Sequence, residues 1–191
     1  MTSAPTPGQT VGPFFGYALP YDGDSELVPP TRTDAIRLHG RVYDGAGEPV
    51  PDALIELWQA APDGTVPRAA GSLQRDGYTF TGWGRAATDR TGAYSFTTVT
   101  PGVTRPGASQ HGAPPFFAIT VFARGLLDRL LTRAYLPGHP HDRLLASLDD
   151  ERRATLVAAA DDHGYVFDIR LQADEQGGGE TVFLSHAGTR D

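Results

Sequence analysis

Few side chains in this sequence stand where they could do chemistry, and most of those stand alone. His139-Pro140-His141 sets two imidazoles two residues apart, a spacing at which both can project to one side of an extended segment and hold a transition metal. The proline between them fixes a geometry that need not converge, and no acid or third histidine lies at ligand spacing, so a solvated loop pair accounts for them. His39, His111, His163 and His186 are isolated. Asp149, Asp150 and Glu151 form a carboxylate run directly before an apolar stretch, which reads as a helix start rather than an acid–base pair. Arg124 is the charge whose setting demands an explanation. It closes the most apolar run of the chain, PPFFAITVFARG from Pro114 to Gly125. A guanidinium at the end of a buried strand must meet a carboxylate, a carbonyl or a ligand anion, because an unpaired buried charge is costly. A structural salt bridge and a bound anion both satisfy that demand.

The elements that would position these groups follow from the hydrophobic pattern. Residues 116 to 123 are too few to cross a bilayer as a helix, which needs roughly 20. β-branched and aromatic residues dominate without strict alternation, which predicts a strand with both faces against protein. Before it come IRLHGRVYD from Ile36, with Gly40 as a bulge, then a hairpin turn at Asp44-Gly45-Ala46-Gly47 and a return strand at Ala53 to Gln59 in which Glu56 needs a partner or an edge. Residues 84–89 and 93–99 read as a second hairpin about Arg90-Thr91-Gly92. Residues 65–82 and 101–115 are loops of the length usually kept for function. Further strands are expected at 130–136, 165–171 and 181–185. Leu144, Leu145 and Leu148 recur at helical spacing, and Asp149 could cap a second short helix with ATLVAAA as its body. The sum is an all-β chain: an antiparallel β-sandwich with two short helical insertions and an extended N-terminal arm. Neither a phosphate loop, a nucleophile elbow nor a repeat of 20 to 50 residues is present.

The organisation expected is an arm over residues 1–33 and a sandwich domain over 34–191. Phe14, Phe15, Tyr17, Leu19 and Tyr21 are too apolar for a free tail, so the arm lies either on its own domain or across a partner at the edge of a pocket. A chain of 191 residues suits one such domain and buries about 70% of the surface it exposes when unfolded. Its 16 basic residues are scattered among 23 acidic ones, for a net charge of -7, which argues against nucleic acid as a partner. Without cysteine, disulfides and thiolate metal sites are excluded. MTSAPTPGQT has neither the basic start nor the apolar core of a signal peptide, so a cytoplasmic protein with no membrane partner is expected.

TPGQTVGPFF, GRVYDGAGEPVPDALIELWQA at 40–60, GRAATDRTGAYSFTTVTPG at 84–102, FFAITVFARGL at 116–126, LTRAYLP and YVFDIRLQ through GETVF together resemble, in order and over nearly the whole chain, the intradiol ring-cleavage dioxygenases. The resemblance implies a β-sandwich. In catalytic members of that family ferric iron is held by two tyrosines and two histidines, and laying their pattern on this chain puts Val66, Thr104, Phe116 and Ala118 at those positions. Phenyl, methyl and isopropyl groups offer no lone pair, and one hydroxyl does not make a site. What the resemblance implies is therefore an alpha subunit of a heteromeric enzyme acting on a small aromatic acid and O2. Its Fe(III) would be bound by the partner beta subunit, with no metal ligand or catalytic residue in this chain. Carried over by position, Thr10, Gly12, Pro13 and Phe14 would wall the substrate pocket, and Arg124 would be the basic residue reaching toward it. Phe14 departs from the pattern, since a tyrosine is expected there. The resemblance thus favours an arm that crosses to the partner and an Arg124 that serves a carboxylated substrate. The rival reading is a non-enzymatic β-sandwich binding or assembly module.

Overall fold

The computed structural model describes residues 10, 12, 14–68, 76, 78–104, 112–138, 142–174 and 179–185. Among these the strands are β1 (Ala35–Tyr43), β2 (Leu54–Gln59), β3 (Trp83–Ala87), β4 (Ala93–Val99), β5 (Phe116–Phe122), β6 (Leu130–Tyr135), β7 (Ala159–Asp161), β8 (Gly164–Val166) and β9 (Ile169–Arg170). The helices are α1 (Phe15–Ala18), α2 (Arg143–Ala146) and α3 (Asp150–Ala154). One sheet runs β4-β1-β8-β7 with β9 beside the end of β1; the other runs β3-β2-β5-β6. β1 turns Leu38, Gly40 and Val42 inward and Arg37, His39 and Arg41 outward, the period of two that a half-covered strand imposes. β5 does the same, with Phe117, Ile119 and Val121 buried and Phe116, Ala118, Thr120 and Phe122 only partly covered. Leu38, Val42, Ile55, Leu57, Phe96, Phe117, Ile119, Val121 and Ile169 meet in the core, each worth roughly 1.5 to 3 kcal/mol relative to exposure. No helix among the described residues is long and apolar enough to cross a membrane.

The sandwich agrees with the sequence reading; several of its parts do not. Both expected hairpins are crossings between sheets. The Asp44 turn forms, with its carboxylate accepting from the Ala46 and Glu48 amides and Tyr43 bridging to Pro49, but the chain then passes to β2 in the other sheet. β3 and β4 likewise lie in different sheets on either side of the Asp89 turn. Turn residues fix a local reversal, whereas the sheet that the next strand joins depends on which surface covers it. Gly40 is not a bulge, since the register of β1 with β4 runs unbroken from Ala35 to Arg41. The stretch 165–171 divides into β8 and β9, both parallel to β1, so this sheet is mixed. Residues 181–185 are extended without forming a strand, tied by the Thr181 amide to the Arg170 carbonyl and by the Leu184 amide to the Leu131 carbonyl.

Asp149 does cap α3, its side chain accepting from the Arg152 amide, but the helix ends at Ala154 instead of taking ATLVAAA as its body. Tyr135 captures the following segment through the Ala158 amide and the Leu156 carbonyl, and Ala159 opens β7. Tertiary pairing overrides helix propensity there. Within the N-terminal segment, α1 was not foreseen. Phe15, Leu27 and Val28 are buried, Glu26 bridges to Thr97 of β4, and Phe14 and Tyr17 stand exposed.

Candidate functional site

Strand register builds the candidate site on the outer face of the β3-β2-β5-β6 sheet. Trp83, Trp58, Ala118 and Arg133 form one row across the four strands, and Arg85, Glu56, Thr120 and Leu131 form the next. In the first row the small Ala118 sits between large neighbours and leaves a gap above it. Trp58 and Trp83 meet edge to face at 6.3 Å. Arg85 lies 5.0 Å over Trp83, holds Glu56 by a 2.6 Å ion pair and donates to the Leu19 carbonyl at 2.7 Å. Glu56 thus finds the partner its position demanded, and that partner also ties down the N-terminal segment.

Two loops close the gap into a cleft of about 220 Å³, lined by Trp58, Val66, Thr104, Pro114, Phe116 and Ala118 among others. The turn at 62–64 presents Val66. Its Asp63 carboxylate accepts from the Thr65 amide, and the Gly102 amide donates to the Ala61 carbonyl. At Gly102 a Cβ would stand 2.2 Å from the Pro62 carbonyl oxygen, so only glycine lets the two loops approach this closely. Thr104 pairs with Ala113 by two backbone hydrogen bonds, which closes the second loop at its base. Gln59 also lines the cleft, but its amide is spent on the Val99 carbonyl and the Thr98 hydroxyl.

The four positions that the family pattern assigns to iron ligands are therefore brought together: Val66, Thr104, Phe116 and Ala118 share this one cleft. The donor set that they offer is a single hydroxyl. Ferric iron, which the family implies, does not fit it, and no group of three or more metal-ligating side chains occurs among the described residues. Beside the cleft, the Arg133 guanidinium lies 4.4 Å over the Phe116 ring and donates to the Tyr135 hydroxyl at 3.0 Å. Burial pushes the Tyr135 phenol up, and Arg133 partly opposes that rise. Sequence reasoning missed Arg133, although the period of two places it on the same face of LLTRAY as Tyr135.

The remaining expected residues are placed as follows. Thr10 is exposed, Gly12 is part-buried with φ +78°, Phe14 is exposed ahead of α1, and Pro13 lies outside the described residues, as do His111, His139, His141 and His186. Arg124 is solvent-exposed, not buried, and pairs with Asp52 at 2.6 Å. It stands six residues along from Ala118, about 20 Å at strand spacing, so it belongs to the far end of β5 and not to the cleft. His39 pairs with Asp161 at 2.8 Å. A larger groove of about 670 Å³ crosses the outer face of the other sheet, but Arg37 is bonded to Ser95, His39 to Asp161, and the Asp168 carboxylate to the Arg41 amide.

Known proteins are similar to this chain in sequence and in architecture. The family model Dioxygenase_C (Dioxygenase) matches residues 12–173. The chain is 34% identical to the protocatechuate 3,4-dioxygenase alpha chain of Burkholderia cepacia, covering 94% of this chain and 96% of that one. It is 31% identical to the beta chain of the same enzyme from that organism, over 73% of this chain and 65% of the other. Among solved structures, the dioxygenase domain of a dioxygenase and carbohydrate-binding fusion from Streptomyces sp. SirexAA-E superposes with a TM-score of 0.56 at 25% identity, covering 89% of this chain and 99% of that one. A sandwich of this topology, with its sequence matched by the family model over residues 12–173 and by an alpha chain over 94% of its length, places the chain in the intradiol ring-cleavage dioxygenase family.

Proposed function

We propose that this chain is the alpha subunit of a protocatechuate 3,4-dioxygenase in the cytoplasm, with Fe(III) carried by a beta subunit and not by this chain. The assembled enzyme inserts both atoms of O2 between the two hydroxyl-bearing ring carbons of protocatechuate, giving 3-carboxy-cis,cis-muconate. Ring cleavage belongs to the partner's iron. This chain's part is to hold the partner and to wall the substrate pocket with Thr10, Gly12, Pro13 and Phe14, while Arg124 offers a charge to the substrate carboxylate. The observation that carries the reading is the cleft itself, where Val66, Thr104, Phe116 and Ala118, the residues onto which the family resemblance lays the iron-ligand pattern, come together on this scaffold and offer a single hydroxyl. The near-complete span of an alpha chain, against about two thirds of a beta chain, supports the same assignment.

Coexpression with a candidate beta subunit, followed by visible absorption and iron content of each purified fraction, tests it. The expected result is a colourless chain alone and a red complex that cleaves protocatechuate. Stoichiometric iron in the single chain would overturn the assignment. A chain that is monodisperse alone and never copurifies with beta would point instead to a non-enzymatic assembly module, a reading that the loss of all four ligands also allows.

A further inference from the structure

We infer that the iron-free cleft is a binding site for a small aromatic monocarboxylate, with Arg133 as its anion anchor and Trp58 and Phe116 as its apolar walls. It would need neither a metal nor a catechol diol. Three observations carry this. First, the cleft is apolar and open, because Trp58 and Val66 remain about half exposed at its mouth. Second, its volume of about 220 Å³ suits a single substituted ring, given that a cavity of about 150 Å³ holds benzene. Third, Arg133 sits opposite Ala118 in the strand register and over Phe116, both of which line the cleft.

Arg133 is also under-used. A guanidinium carries five N–H donors, yet among the described residues Arg133 spends one, on the Tyr135 hydroxyl that also faces Asp142, and forms no ion pair with a carboxylate. By contrast Arg32, Arg85, Arg124 and Arg153 each hold an acid. Stacking on Phe116 fixes the fork in a plane, which leaves it ready for bidentate capture of a carboxylate whose ring lies against Trp58 and Val66.

Benzoate is the probe. Calorimetric titration into the full chain is expected to show one saturable site. Arg133→Met, which keeps the stem over Phe116 and removes the charge, is expected to weaken binding about tenfold or more. Benzamide, equal in size but uncharged, is expected to bind the unaltered chain with a similar deficit. Ala118→Phe, which fills the gap, is expected to abolish the site, and thermal melting checks that each variant folds. Absence of a saturable heat in the unaltered chain, or unchanged affinity in Arg133→Met, overturns the inference. Because the readout is binding to this chain and not turnover, either outcome leaves the subunit assignment to its own test.

Discussion

The carbonyl oxygen of Phe167 occupies the place where Gly40 would carry a side chain. A Cβ built on Gly40 stands 2.0 Å from that oxygen, and the Phe167 amide donates to the neighbouring His39 carbonyl at 2.8 Å. The glycine lets the chain between β8 and β9 lie directly on β1. Both atoms in conflict are backbone, so neither can rotate aside.

Gly40→Ala is therefore expected to lose about 3 kcal/mol of stability, measured by urea unfolding. An unchanged midpoint would show that the β8–β9 connection can withdraw without cost.

The same carbonyl accepts a hydrogen bond from the Tyr94 hydroxyl at 2.5 Å, deep in the core. Burial, with a smaller contribution from Asp168, pushes the Tyr94 phenol far up, so the hydroxyl keeps the proton it donates at neutral pH. Tyr94→Phe is expected to cost about 1 to 2 kcal/mol through the carbonyl left unsatisfied. A cost indistinguishable from zero would mean that water replaces the hydroxyl.

Arg85 joins Glu56 to the Leu19 carbonyl and so anchors the N-terminal segment to the second sheet. Arg85→Ala is expected to cost about 2 to 3 kcal/mol, since it leaves a mostly buried carboxylate unpaired. It should also speed chymotryptic cleavage at Tyr17 and Leu19. Equal cleavage rates would remove the anchoring role.

Asp89 and Asp161 both contribute to the acid limb of stability. The Thr91 hydroxyl, followed by the Ala93 and Thr91 amides, holds the Asp89 carboxyl below its usual range; the His163 amide, followed by the His39 ring, does so for Asp161. A folded-state pKa below the unfolded one means that the unfolded chain takes up the proton first. The stabilisation is present above the unfolded value, near pH 4, and is lost as pH falls through the depressed folded values. Asp89→Asn and Asp161→Asn are each expected to flatten the fall in melting temperature below about pH 4. Curves parallel to the unaltered protein would exclude these groups.

Arg124→Ala separates substrate contact from stability. Its ion pair with Asp52 leaves the guanidinium two-thirds exposed, so the stability loss should stay under about 1 kcal/mol. In the reconstituted complex, KM for protocatechuate is expected to rise by roughly 10- to 150-fold, the worth of a charge-assisted contact. An unchanged KM would leave Arg124 only its bridge to Asp52.

Local pattern was enough for the sandwich class, most strand positions and the Asp149 cap, because alternation and turn chemistry are properties of neighbouring residues; the four positions of the cleft came from the family resemblance instead. The apolar run through Val121 and the alternation in β1 each predict a strand from side chains alone. Other features depended on what each strand met. Whether Asp44 and Asp89 turn a hairpin or a crossing, whether Gly40 makes room for Phe167, and whether Ala159 continues a helix or opens a strand are settled by contacts between residues far apart in sequence. The same holds for Arg124 and Arg133. Their types were plain in the sequence, but only the folded sheet put one in solvent beside Asp52 and the other over the Phe116 ring beside the cleft.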